Sequence, residues 1–180
     1  MYRARHLIGL PVVNVVTGER LASVRSLVID LVGGQIQGLV VQRGSLFREP
    51  QVLHFEQLHA IGQDAILVKD GEKPYALPQL LAQLPWAQTE DKLFGRPVLT
   101  SDGKSVGALE DLFFDPHTGT ISHYLLADGL LQSLLEGPAV MSAPSQPIMG
   151  EDRVIIPVAP EESVEQLMME YKEFTGSSEV

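Results

Sequence analysis

Short apolar runs rich in Val, Ile, Leu and Phe follow one another along this chain, cut at roughly ten-residue spacing by turn formers, the pattern of small β-barrels or sandwiches. Pro11-Val12-Val13-Asn14-Val15-Val16 reads as a strand, and Thr17-Gly18 as the turn after it. The next run, Leu21 to Leu31, changes its apolar phase between Val24 and Leu27, as a β-bulge or strong coil would require. Gly33-Gly34 then turns the chain into Ile36 to Val41, and a last strand pair, Val52 to Phe55 with Ala65 to Val68, completes the set.

The same series returns in the second half. Leu7-Ile8-Gly9-Leu10-Pro11-Val12 is answered 86 positions on by Leu93-Phe94-Gly95-Arg96-Pro97-Val98, and Asp30 and Gly34 are answered 85 positions on by Asp115 and Gly119. Asp102-Gly103 repeats the first turn, the phase change recurs between Leu109 and Leu112, and Val140 to Ala143 with Arg153 to Val158 repeats the last pair. One long unit used twice predicts two small domains of one fold, too few copies for a solenoid.

Each barrel is expected to end in a helix. Leu77, Leu80, Leu81 and Leu84 fall at i, i+3, i+4, i+7, and Pro85 stops the run. Val164, Leu167, Met168 and Tyr171 repeat that spacing 87 positions later, behind a Pro160-Glu161-Glu162 first turn. The boundaries that result are a first barrel over 1–75, helix and linker over 76–90, a second barrel over 91–159, and a C-terminal helix and tail over 160–180.

Composition narrows the function classes. Cysteine is absent, which excludes disulfides, thiolate metal sites and cysteine nucleophiles. The N-terminal stretch lacks a signal-peptide pattern and no apolar run approaches a membrane span, so a cytoplasmic protein is the expectation. The net charge of −10 lies wholly in residues 91–180, with 5 basic and 15 acidic side chains against 8 and 8 in residues 1–90. Phosphate binding needs cations, so direct nucleic-acid binding is not expected. Arg3, Arg5, Arg25 and Arg43 offer contacts for an acidic partner, against the plainer reading of solvated arginines on strand faces.

The remaining candidates are weighed the same way. Leu130, Leu131, Leu134 and Leu135 form a helix-like stripe in a connection three residues longer than its first-half counterpart; it is either a docking patch or packing between the barrels. Trp86, in the link, is either an anchor fixing domain orientation or a partner hot spot. Glu110, Asp111 and Asp115 near His117 invite a metal reading, but Asp115 to Gly119 reads as an Asp-initiated turn, and His123 lacks ligand spacing to His117. His54 and His59 flank Phe55-Glu56 with no identifiable partner for acid–base work, and no nucleophile elbow, phosphate loop or dinucleotide fingerprint occurs. No catalytic residue, metal site or cofactor is assigned.

Leu-Ile-Gly-Leu-Pro-Val with Thr-Gly-Glu, then Val-Arg-Ser-Leu-Val-Ile-Asp and Gly-Gln-Ile-Gln-Gly-Leu-Val-Val, resembles the PRC-barrel family, and so does Asp-Gly-Lys-Ser-Val-Gly-Ala-Leu-Glu-Asp-Leu-Phe-Phe-Asp in the second copy. That family includes the cytoplasmic domain of the photosynthetic reaction centre H subunit, the C-terminal domain of a bacterial ribosome maturation factor and many stand-alone bacterial proteins. The resemblance implies a mainly β protein of two tandem small barrels, each followed by a short helix. It also implies a non-catalytic module that binds another protein or serves an assembly. Self-association, a ribosome-assembly role through a ribosomal protein, and a small-molecule or metal-dependent enzyme are the alternatives, in that order.

Overall fold

The computed structural model describes residues 1–42, 49–127 and 138–157, and the strand over 168–170. The first half contributes β1 (Tyr2–Arg3), β2 (Pro11–Asn14), β3 (Arg20–Asp30), β4 (Gln35–Gln42), β5 (Gln51–His54), β6 (Leu58–Ile61), β7 (Ile66–Val68), β8 (Tyr75–Ala76) and the helix α1 (Leu77–Gln83). The second contributes β9 (Ala87–Thr89), the short helix α2 (Glu90–Leu93), β10 (Pro97–Thr100), β11 (Ser105–Phe114), β12 (Ile121–Ala127), β13 (Ala139–Ser142), β14 (Ile148–Met149), β15 (Val154–Ile156) and β16 (Met168–Glu170).

The two sheets match strand for strand. One runs β6-β7-β2-β3-β4-β5-β8, the other β14-β15-β10-β11-β12-β13-β16. In each, a parallel pair (β2 with β7, β10 with β15) curls the sheet back on itself. The bulges anticipated from the phase change are present: the β3–β4 register shifts between Val24 and Ser26, the β11–β12 register between Leu109 and Asp111. The extra residue at each bulge is Arg25 or Glu110, so Val24 and Leu27, or Leu109 and Leu112, both face inward although three positions apart.

The sheets exchange their leading strands. β1, at the head of the first unit, pairs with β11 of the second, placing Arg3 opposite Phe113. β9, at the head of the second, pairs with β3 of the first, placing Thr89 opposite Val28. Thr89 is the counterpart of Arg3 and Val28 of Phe113, so the exchange is reciprocal about a pseudo-two-fold axis. Backbone bonds at the seam obey the same symmetry: Ile36 N–H donates to Gly119 C=O at 2.9 Å and Ile121 N–H to Gly34 C=O at 2.8 Å. A single hydrophobic core joins the units, running from Leu7, Leu27, Ile29 and Leu39 into Leu93, Leu112, Phe114 and Tyr124.

On the outer face of the first sheet, Val28, Val40 and Val52 lie under α1, which presents Leu77, Leu80, Leu81 and Leu84 as its spacing predicts. Phe113, Leu125 and Val140, the counterpart triad, are likewise buried.

Two expectations need correction. Val52–Phe55 and Ala65–Val68 do not pair with each other: β5 lies between β4 and β8, and β7 between β6 and β2. The 3-10 turn Phe55–Gln57 carries the chain away from β5, and β7 gains its second partner by closing onto β2. Met168, placed on a helical face by its spacing, lies instead in β16, which pairs with β13 as β8 pairs with β5. The edge of β13 needs backbone partners, and that demand outweighs a four-position apolar spacing. Val164, Leu167 and Tyr171 fall outside the described residues.

Gly119 lies where the units pack tightly against each other. Its φ is +75°, and a Cβ there would meet Ile36 O and the Phe55 ring at 3.1 Å. Gly119→Ala should therefore cost about 1–3 kcal/mol, through left-handed backbone strain and a steric push across the seam. Chemical denaturation should show this, whereas Ala at Gly34, where φ is +66° but no atom lies within 4 Å, should cost less. Equal losses at the two sites would mean that the seam is not tight.

Candidate protein-binding surface

Each bulge turns one residue of the long strand towards the strand received from the other unit. In the second sheet that residue is Asp111, fully buried. Its Oδ2 accepts the Arg3 Nε–H at 2.9 Å, and its Oδ1 accepts the backbone N–H groups of Arg5 at 3.1 Å and Leu112 at 2.8 Å. A carboxylate taken out of water is tolerated because a cation and directed donors replace its hydration. The Arg5 guanidinium sits 4.9 Å from the centre of the Phe94 ring, a cation–π contact across the same seam. Arg3 and Arg5 therefore hold the N-terminal strand to the second unit. This commits Arg3 inward, and Asp111, read in sequence beside a candidate metal cluster, is its partner.

In the first sheet the counterpart of Asp111 is Ser26, whose hydroxyl donates to the Glu90 carboxylate at 3.3 Å. Partial burial pushes the Glu90 carboxyl above its ordinary range, with the Ser26 hydrogen bond pulling the other way and Asp91 adding to the rise. The pseudo-symmetric positions thus carry different chemistry: a buried ion pair on one side, a half-buried carboxylate on the other.

Beside Glu90 opens a groove of about 570 Å³, walled by Leu77 and Leu81 of α1, by Arg25 on the bulge and by Lys92 of α2. Arg25, the extra residue at the bulge, is exposed, and half-buried Ser26 beside it lines the same groove. Trp86 follows α1 and immediately precedes β9. Trp86 is 56% exposed, next to buried Ala87 at the start of β9. Arg43, Leu130, Leu131, Leu134 and Leu135 lie outside the described residues. Sequence reasoning missed the groove and Glu90. The two signals for it, the bulge at Arg25 and the apolar face of α1, were each legible, but their juxtaposition depends on β9 crossing to the first sheet.

Around the turn of the second unit, Asp115 accepts the His117 backbone N–H at 2.8 Å, and that bond keeps its carboxyl below the ordinary range. It is the Asp-initiated turn expected from the sequence. Among the described residues no three His, Asp or Glu side chains are grouped so as to hold a metal ion, and no helix is long and apolar enough to cross a membrane.

The geometry defines a class: a tandem β-barrel protein whose two units are joined by exchanged strands. The family model of the PRC-barrel domain matches residues 1–73 and again 91–173, and the chain belongs to the PRC-barrel family, in two tandem copies. Domains of this family are in general non-enzymatic protein-interaction modules. No curated protein matches the chain.

Glu90 offers a direct check on the site's electrostatics. A carboxyl whose folded pKa is raised contributes stability below its unfolded pKa, and that contribution is lost as pH rises through the folded value. Glu90→Gln should therefore be more stable than the parent at pH 7, with the gain vanishing below the ordinary carboxylate pKa of 4.5. Thermal melts at the two pH values measure it. A variant less stable than the parent at pH 7 would show that the ionised carboxylate is favoured there.

Proposed function

We propose that this protein is a non-catalytic cytoplasmic adaptor that binds a protein partner on the outer surface of its first barrel. The single observation that carries the reading is Trp86, a large aromatic residue 56% exposed between a helix and a strand. Exposed aromatics on rigid supports are the anchors around which interfaces concentrate their binding energy. Arg25 and the α1 groove supply a charged and an apolar contact on the same unit. Arg43 and the Leu130, Leu131, Leu134 and Leu135 stripe join this surface on sequence grounds alone. Arg3, through its side chain, and Arg5, through its backbone N–H, also bind Asp111 and so hold the N-terminal strand to the second unit.

The test is affinity capture from source lysate with the parent protein, Trp86→Ala and Arg25→Glu, each first checked for an unchanged melting temperature. The expected outcome is a discrete partner retained by the parent and weakened about thirtyfold or more by Trp86→Ala, the scale of losing an anchor worth about 2 kcal/mol. Arg25→Glu should weaken it less. Identical retention by all three proteins would overturn the assignment of this surface.

A further inference from the structure

A second crevice, of about 420 Å³, is lined by residues of both units. One wall is β6 with Phe55 and Glu56 of the first unit; the other is Tyr2 of the exchanged strand β1 with His117 and Thr118 of the second. β6 ends its sheet, pairing with β7 alone among the described strands, with a register shift at His59, and Leu58 to Ile61 line the crevice.

The pseudo-two-fold axis supplies an internal control. Glu56, His59 and His117 correspond to Pro144, Pro147 and Val32, and Tyr2 corresponds to Gln88. The frame is the same on both sides, and these charged and aromatic groups stand on one side only. The fold does not require them there, since the mate position is built without them.

We infer that this crevice takes an extended, basic segment of a protein partner, laid along β6 as an added strand with a Lys or Arg side chain reaching between the units. The edge of β6 supplies backbone pairing, the mode by which extended peptides join a sheet. Glu56 is the one side chain lining the crevice that carries a formal charge with histidine neutral, and it is negative. Asp115 stands in the turn that carries His117, its carboxyl kept below the ordinary range by the His117 N–H. The rings of Tyr2 and Phe55 favour a cation further, and the net charge of −10 steers basic partners towards the molecule. The inference rests on the adaptor reading only in taking a protein as the ligand.

The experiment titrates the 15N-labelled full chain with the capped pentapeptide Ac-Val-Arg-Val-Arg-Val-NH2 and with its Glu-for-Arg counterpart, following backbone amides by NMR. The basic peptide should shift the amides of Leu58–Ile61, His117 and Thr118 saturably, bind at least tenfold more tightly than the acidic one, and weaken at least threefold in Glu56→Gln. No saturable shift at these amides, or equal shifts from both peptides, would overturn the proposal. A failed titration with the Trp86→Ala effect intact removes the crevice and leaves the adaptor surface. A successful titration with Trp86→Ala indifferent does the reverse.

Discussion

Two short strands crossing between two sheets constrain everything else in this molecule. β3 pairs along one edge with β4 from Ser23 to Asp30, and β11 with β12 from Ala108 to Phe114. The opposite edge is shared: β2 or β10 covers its first half, and the strand from the other unit covers the second. Without the exchanged strands, the backbone groups of Val28–Asp30 and of Phe113–Phe114 would lose ladder partners in a region where the side chains are buried. The exchange thereby covers the open stretches of strand edge at Val28–Asp30 and Phe113–Phe114 and ties the two sheets around one shared core.

Symmetry of backbone with asymmetry of side chains is how such a frame acquires specific surfaces. The bulge that increases strand twist also turns Asp111 or Ser26 towards the incoming strand, and what meets it there differs. Arg3 closes one side into a buried ion pair, which is strongly destabilising to break although modest in net worth. Glu90 leaves the other side half open beside the α1 groove. The crevice between β6 and the His117 turn follows the same rule, with its polar groups confined to one member of a symmetric pair.

Much of the fold was legible because its signals are local. Positive-φ turns at Gly18, Gly34, Gly103 and Gly119 demand glycine, so they stand at matching positions in both halves. The bulges betray themselves as a slip in apolar phase, and α1 as four leucines on one face. The exchanged strands are two and three residues long, too short for any periodicity, and their partners are distant: Arg3 and Asp111 are 108 positions apart. An arginine near the N-terminus therefore reads as solvent-facing until its carboxylate is found. Trp86 could be singled out by type but not by burial, which depends on where β9 docks. The C-terminal spacing misled for a related reason, because Met168 obeys the edge of β13 and not its own sequence neighbours.

Native-state hydrogen exchange on the parent and on Arg3→Ala tests the claim that the two barrels are one cooperative unit most directly. Arg3 lies in the second sheet, yet the exchange of strands predicts that its loss lowers the protection of Leu27 and Ile29 in the first sheet as much as that of Leu112 and Phe114 in the second. Loss of protection confined to Leu112, Phe114 and their neighbours, with the first sheet unchanged, would contradict the account and show two domains that open independently.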